Sequence, residues 1–306
     1  MLFNFNMIDI IITSYNEPKA TLRAVNTFLK QKINEKYKII VCDPFIKVKK
    51  FIQKNVNNKK VSFYLDYGEG KSYALNLLLK KLYSNNRDNI LIFTDGDVYV
   101  SENALDEIIN AFKDKNLGCI TCKIVSIDNK NTKYGYWSHL LFSGANKLRK
   151  KLSNNKFFEC SGYLFAIRNG IIKEFSMDVS EDSIIPYLFW NKNYKIKYLD
   201  NVKVYVKNPD NWKDWKNQKI RNIKGHENLN KIYPKMPRTK SFFNEIKYGL
   251  LHVISSPKTI KEMFWTIELL FARLFIYAKA FYELRKKKVY SDGWRETEIK
   301  SAKPLD

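Results

Sequence analysis

This sequence predicts an α/β fold: a mostly parallel sheet with helices on its faces. Three observations lead there. Over the N-terminal third, short apolar runs alternate four times with segments of helical spacing. No hairpin turn separates one run from the next, so consecutive strands need crossover connections. The polar, acidic and glycine-bearing residues collect just after the apolar runs, where open α/β sheets hold their ligands.

The elements follow in order. "MIDIIIT" (7–13) is a continuous apolar run ending in a Ser-Tyr-Asn-Glu-Pro loop, and "KATLRAVNTFLKQK" has helical spacing. Next come "YKIIVCD" (37–43), the helix-like "IKVKKFIQKN", "KVSFYLD" (60–66) and the helix "KSYALNLLLKKLYS". "DNILIFTDGD" (88–97) precedes "SENALDEIINAFKD", a helix for which Ser101 is the expected N-cap. From 118 to 206 the stretches "GCITCKIVSI", "FFECSGYLFAIR" and "YKIKYLDNVKVYV" are β-rich and surround helices expected at 134–151 and 180–191. Helical sequence resumes at Asn211, and 232–240, with Pro234 and Pro237, reads as a linker. The expected division is a catalytic unit over 1–231, that linker, and a helical region over 241–306.

Composition narrows the function. With 306 residues, 45% of them hydrophobic, the chain can bury a large core and is neither disordered nor repetitive. The opening segment lacks a basic region and a small-residue cleavage site, so its apolar run reads as a strand rather than a signal peptide. The net charge of +23 suits an anionic partner, with membrane lipid ahead of nucleic acid. Compositional bias explains it equally well, because 45 of the 54 basic residues are lysine. Cys42, Cys119, Cys122 and Cys160 lie in apolar runs and read as buried thiols of a reducing compartment; "CITC" lacks the second pair that a zinc site needs.

Three places carry chemistry. Asp95 and Asp97 stand two apart at the end of an apolar strand, and carboxylates so close repel unless a cation lies between them. Such oxygen ligands suit Mg2+ or Mn2+ bound together with phosphate. The bland alternative is a solvated Asp-Gly turn. In "GEGKSYALN", Lys71 opens a helix after a Gly-Glu-Gly turn, where it can hold a diphosphate as a point charge. The stretch is not a P-loop, because the glycine required five positions before Gly70 is Leu65. "SED" (180–182) puts Glu181 and Asp182 in the first turn of a helix, where either could serve as general base or merely complement the helix dipole.

"IIITSYNEP", "VCD", "GKSYALN", "IFTDGDVYV", "CSGYLFAIR", "SED" and "QKIRN" occur in the order seen in family 2 glycosyltransferases, which the chain resembles over roughly residues 7–230. The resemblance implies the GT-A fold and a metal-dependent, inverting transfer from a nucleotide-diphosphate sugar, with UDP the usual carrier. It implies that Thr13, Tyr15, Glu17, Asp43, Lys71, Asp95 and Gly96 bind the nucleotide sugar. Asp97, with Asp95, would ligate the metal, and Asp182 of the Glu181–Asp182 pair would be the base. Gln218 and Arg221 match the Gln-x-x-Arg-Trp motif of hyaluronan, chitin and cellulose synthases, and so favour that branch over the dolichyl-phosphate sugar synthases. Asn222 replaces its tryptophan, which favours transfer of one or a few sugars over polymer synthesis. Trp212 and Trp215 are the aromatics that could stand in for it.

Residues 262–288, "EMFWTIELLFARLFIYAKAFYELRKKK", have nearly the length of a membrane span but contain Glu268, Arg273 and Lys279. Glu262, Thr266 and Arg273 share one stripe, and Glu268, Lys279 and Glu283 extend it to half the circumference. With Arg285 to Lys288 this describes an interfacial helix on an anionic leaflet, at the cytoplasmic face of the membrane. Packing on the catalytic unit, or against a second copy in a homo-oligomer, is the competing expectation. The closing "GWRETE" resembles the Trp…Thr segment after the membrane helices of some family 2 synthases, which would support a lipid-linked or nascent-glycan acceptor. A basic membrane- or nucleic-acid-binding protein without catalysis is the rival function; the acidic set argues against nucleic acid, whose phosphates it would repel.

Overall fold

A computed structural model describes residues 7–153, 156–238 and 240–286. The strand-helix alternation is present as expected: β1 (Ile8–Thr13), α1 (Pro18–Leu29), β2 (Tyr37–Asp43), α2 (Ile46–Asn55), β3 (Val61–Leu65), α3 (Lys71–Leu82), β4 (Ile90–Asp95). There follow β5 (Tyr99–Val100), α4 (Ala104–Ala111), β6 (Leu117–Ser126), α5 (Lys133–Leu152), β7 (Leu164–Arg168), α6 (Glu181–Trp190) and β8 (Lys195–Val206). Three helices complete the described chain: α7 (Trp212–Ile232), α8 (Phe242–Ser255) and α9 (Ile260–Arg285).

One eight-stranded sheet has the order β3-β2-β1-β4-β7-β6-β8-β5. The first four strands are mutually parallel; β7 runs against both β4 and β6, and β5 against β8. The alternation of side chains along a strand explains why β1 is apolar but for Asp9 and its terminal Thr13. Ile8, Ile10 and Ile12 enter the core beneath α1 and α4, with Phe28, Leu105 and Ile108. Ile11 faces the other way, into a core shared with Leu75 and Leu78 of α3 and Ile184 and Ile185 of α6. Both faces of the sheet are therefore covered, which is why these strands carry almost no polar residues.

Two expectations are corrected. Ser101 does not cap α4: the N-cap is Asn103, in the left-handed region at φ 61°, while the Ser101 hydroxyl accepts a hydrogen bond from the Lys203 amide. Within "FFECSGYLFAIR" only Leu164–Arg168 forms a strand, and residues 157–163 are a loop. Arg168 anchors the far end of that strand. Its guanidinium is buried and donates to the carbonyls of Leu117, Arg87, Phe112 and Asp114.

A third core holds the C-terminal helices on the rest of the molecule. Trp137 of α5, Trp215 and Ile220 of α7, and Leu269, Ala272 and Ile276 of α9 are packed together. Of the α9 stripe expected to be polar, Thr266 and Arg273 face inward while Glu268 stays exposed: Thr266 meets Tyr136 at 2.8 Å, and Arg273 makes a two-pronged ion pair with Glu245 of α8. Phe264, Ile267, Phe271, Leu274 and Phe275 face out. Among the described residues no helix is long and apolar enough to cross a membrane. Lys287 and Lys288, and the "GWRETE" segment, lie outside the described residues.

Candidate active site

Parallel pairing brings the ends of the first four strands to one edge. Thr13 lies opposite Asp95 on one side and Cys42 on the other, and Asp43 lies opposite Leu65. The Thr13 hydroxyl donates to the Thr94 carbonyl and stands 3.5 Å from the Asp95 carboxylate. Asp43 is fully buried and accepts from the Ser14 hydroxyl at 2.6 Å and from the amides of Asn16 and Phe45. Its burial raises the pKa, and those hydrogen bonds oppose the rise. It thus fixes the loop that follows β1. Tyr15 of that loop packs edge-on against Phe45. Gly96 is required where it stands: a Cβ there would lie 2.6 Å from the Ser14 Cβ, so only glycine lets β1 and β4 end side by side.

Lys71 is the first residue of α3. The turn before it uses Gly68 and Gly70 at positive φ, 75° and 108°, a backbone that other residues adopt only with strain. Its ammonium group lies 2.7 Å from Asp95 and 2.5 Å from Glu181. Burial alone would depress its pKa, but the two carboxylates dominate and raise it, so Lys71 is a permanent cation. This one side chain ties the end of β4 to the start of α6.

Asp97 is 5% exposed, beside that cluster in the cavity wall. Among the described residues no three His, Cys, Asp or Glu side chains converge on one point. The donors that the sequence nominated are two carboxylates, Asp95 and Asp97. That fits a hard divalent cation that completes its shell with substrate phosphate rather than one caged by protein alone.

At the start of α6 Glu181 is buried, while Asp182 accepts from the Gly162 amide at 3.0 Å. Burial works against charge on Asp182. The fields of Lys240 and Lys71 and a hydrogen bond from Ser180 outweigh it, so its pKa lies below the ordinary carboxylate value. Around it stand residues that no motif had marked. Glu159 is buried and lies 3.3 Å from Lys240 and 3.4 Å from His226. Burial, with Lys240 adding to it, lowers the His226 pKa, so this imidazole is neutral at neutral pH.

A single cavity of about 760 Å3 runs from the strand ends to the C-terminal helices. Thr13, Tyr15, Lys71, Asp95, Asp97, Glu181, Asp182, Gln218 and Arg221 all line it; Glu17, Asp43 and Gly96 do not. Glu17 is instead buried at the start of α1. Asn222 lines the cavity, whereas Trp212 and Trp215 do not: Trp215 is buried against Trp137, with Trp212 stacked on it. Neither tryptophan replaces the one missing at 222. The spacing Gln218, Asn222, His226 is i, i+4, i+8, one face of α7, and that periodicity could have nominated His226 from sequence.

Residues 9–175, more than half of the chain, match the sequence model of the family described as "Glycosyl transferase family 2". Among solved structures, the mannosyltransferase PcManGT from Pyrobaculum calidifontis, in complex with GDP-Man and Mn2+, is similar with a TM-score of 0.58. The identity is 14%, over 94% of this chain and 82% of that one. TarS 1–349 of S. aureus, in complex with UDP-GlcNAc, is similar with a TM-score of 0.52 at 12% identity, over 93% of each chain. At such identities the likeness is one of fold. No curated protein matches the sequence.

Proposed function

Because this chain belongs to glycosyl transferase family 2, with the eight-stranded α/β sheet of the GT-A fold, we propose that it transfers a sugar from a nucleotide-diphosphate sugar, with UDP as carrier, to a hydroxyl of a lipid-linked or glycan acceptor. The observation that carries this reading is that Lys71 and the strand-end carboxylates share one cavity with Asp182.

The roles follow from position. Thr13 and Tyr15 border the nucleotide, Asp43 holds the loop that shapes its pocket, and Lys71 takes the diphosphate. Asp97 and Asp95 would hold Mn2+ or Mg2+, which supplies charge neutralisation of the leaving diphosphate. The acceptor oxygen forms its bond to the anomeric carbon while the bond from that carbon to the diphosphate oxygen breaks. The bonding pair leaves with the diphosphate, and the hydroxyl proton passes to Asp182, which its surroundings keep ionised. One displacement inverts the anomeric centre. Gln218 and Arg221 border the acceptor, a placement that supports kinship with the hyaluronan, chitin and cellulose synthase branch. The exposed Asn222 supports transfer of one or a few sugars.

The outward apolar face of α9, on a chain of net charge +23, supports work at an anionic membrane surface, on its cytoplasmic side. The test of the catalytic reading is nucleotide-sugar hydrolysis over UDP-, GDP- and dTDP-sugars, with and without Mn2+, beside Asp97→Asn and Asp182→Asn. Metal-dependent release of one nucleotide, abolished in Asp97→Asn, is expected. If neither UDP nor GDP binds in the presence of Mn2+ by calorimetry, the donor assignment is wrong.

A further inference from the structure

The cavity has a limb that a nucleotide sugar does not need. Beyond Asp182 it continues between α5, α8 and α9, where its walls are Leu141, Leu148, Leu250, Val253, Leu270 and Leu274. Helix α8 roofs this limb and buries none of its own residues fully, so it spans the space without filling it. Gly249 lines the limb at the middle of α8, and a Cβ built there would meet no atom within 4 Å. The limb also reaches the surface. Ile246 and Leu274 border it while remaining 43% and 51% exposed, which joins it to the apolar face of α8 and α9.

The junction between this limb and Asp182 gathers several cations. Arg273 is neutralised by Glu245, and Lys240 lies near Glu159. Lys219 lines the same junction, half-buried, with no carboxylate within 4 Å among the described residues. Burial and the neighbouring Arg273 push its pKa down to about 8. Glu245 acts on Lys219 but is already paired with Arg273, so a cation held here beside an apolar channel is costly, and a ligand anion would relieve it.

Resting on the transferase reading above, we propose that this limb receives the hydrocarbon chain of an anionic lipid acceptor, whose phosphate or diphosphate lies against Lys219 and whose hydroxyl-bearing head reaches Asp182. The chain slides in between α8 and α9 from the apolar surface. Polar glycans lacking a lipid carrier have no counterpart for these leucines.

The test uses the full chain and three probes: farnesyl diphosphate, farnesol and inorganic diphosphate. Binding is measured by calorimetry in the presence of saturating UDP or GDP and Mn2+, which fills the donor end. Each methylene withdrawn from water is worth about fourfold in affinity, so farnesyl diphosphate should bind at least ~50-fold tighter than inorganic diphosphate. Gly249→Phe projects a ring into the limb and should weaken farnesyl diphosphate by about tenfold or more while leaving nucleotide affinity unchanged. Helix α8 gains propensity from that change, so loss of folding does not confound it. Lys219→Gln should narrow the margin of farnesyl diphosphate over farnesol. The proposal is overturned if farnesyl diphosphate is displaced by the nucleotide, or if Gly249→Phe binds it as tightly as wild type. Failure of UDP and GDP to bind the wild type would instead sink the transferase reading, and the two failures are distinguishable in one set of titrations.

Discussion

At the scale of single residues, Asp182 and Glu181 are adjacent carboxylates with different partners. Both stand in the cavity wall, but Glu181 is engaged by Lys71, whereas Asp182 accepts from the Gly162 amide. Asp182→Asn is expected to lower kcat by ~10²–10⁴-fold with donor affinity unchanged. Glu181→Gln should instead alter donor KM, because it changes the charge balance of Lys71. The folded pKa of Asp182 is depressed, so its ionised form contributes stability above the unfolded value and loses it as pH falls through the folded one. The kcat profile should therefore be flat on its acid side from about pH 7 down to pH 5; an acid limb within that range would point to His226 instead. Lys219 works the other way. Its fall from 10.5 to about 8 means the folded chain sheds a proton that the unfolded chain keeps, so stability rises with pH between those values. Lys219→Met should stabilise at pH 7 by up to ~3 kcal/mol, with the gain shrinking toward pH 10.5 in urea titrations. Asp95, Asp97 and Lys71 were legible in the sequence because each sits at the end or start of an apolar element. Lys219 and Glu159 were not, and His226 only through its spacing from Gln218. They are isolated side chains whose meaning comes from segments that meet only in the folded molecule.

At the scale of elements, β1, β2 and β4 were readable because a strand covered on both faces is apolar over most of its length. The reversed direction of β7 was not, since a five-residue apolar run reads alike either way. The cap of α4 went to Asn103 because Ser101 was claimed by the neighbouring β8. For α9 the periodicity was correct, but a period identifies faces without saying which one meets the protein. Two substitutions on that helix separate the faces. Ile276→Ala opens a hole in a fully buried position and should cost about 2–5 kcal/mol of unfolding free energy. Phe271→Ser, at 69% exposure, should leave stability within about 0.5 kcal/mol while weakening binding to anionic vesicles, measured by co-sedimentation.

At the scale of the whole molecule, the surplus of positive charge predicts vesicle binding that strengthens with anionic lipid content and weakens as salt rises, because screening shortens the reach of exposed charge. Binding insensitive to both would remove the membrane from the picture. The same reasoning about charge applies inside the cavity, which is polarised along its length. Asp66, Asp95, Asp97 and Glu181 gather around Lys71 at one end, and Lys219, Arg221, Lys240 and Arg273 outnumber Glu159 and Glu245 at the other. Two ligands that both carry phosphate therefore meet opposite fields. A nucleotide diphosphate meets Lys71 at the acidic end but also a surplus of carboxylates, and so needs its own divalent counter-ion, whereas an anionic lipid is attracted at the basic end unaided. A chelator should accordingly abolish nucleotide binding and spare farnesyl diphosphate, so that the protein sorts two like-charged guests by whether they travel escorted or alone.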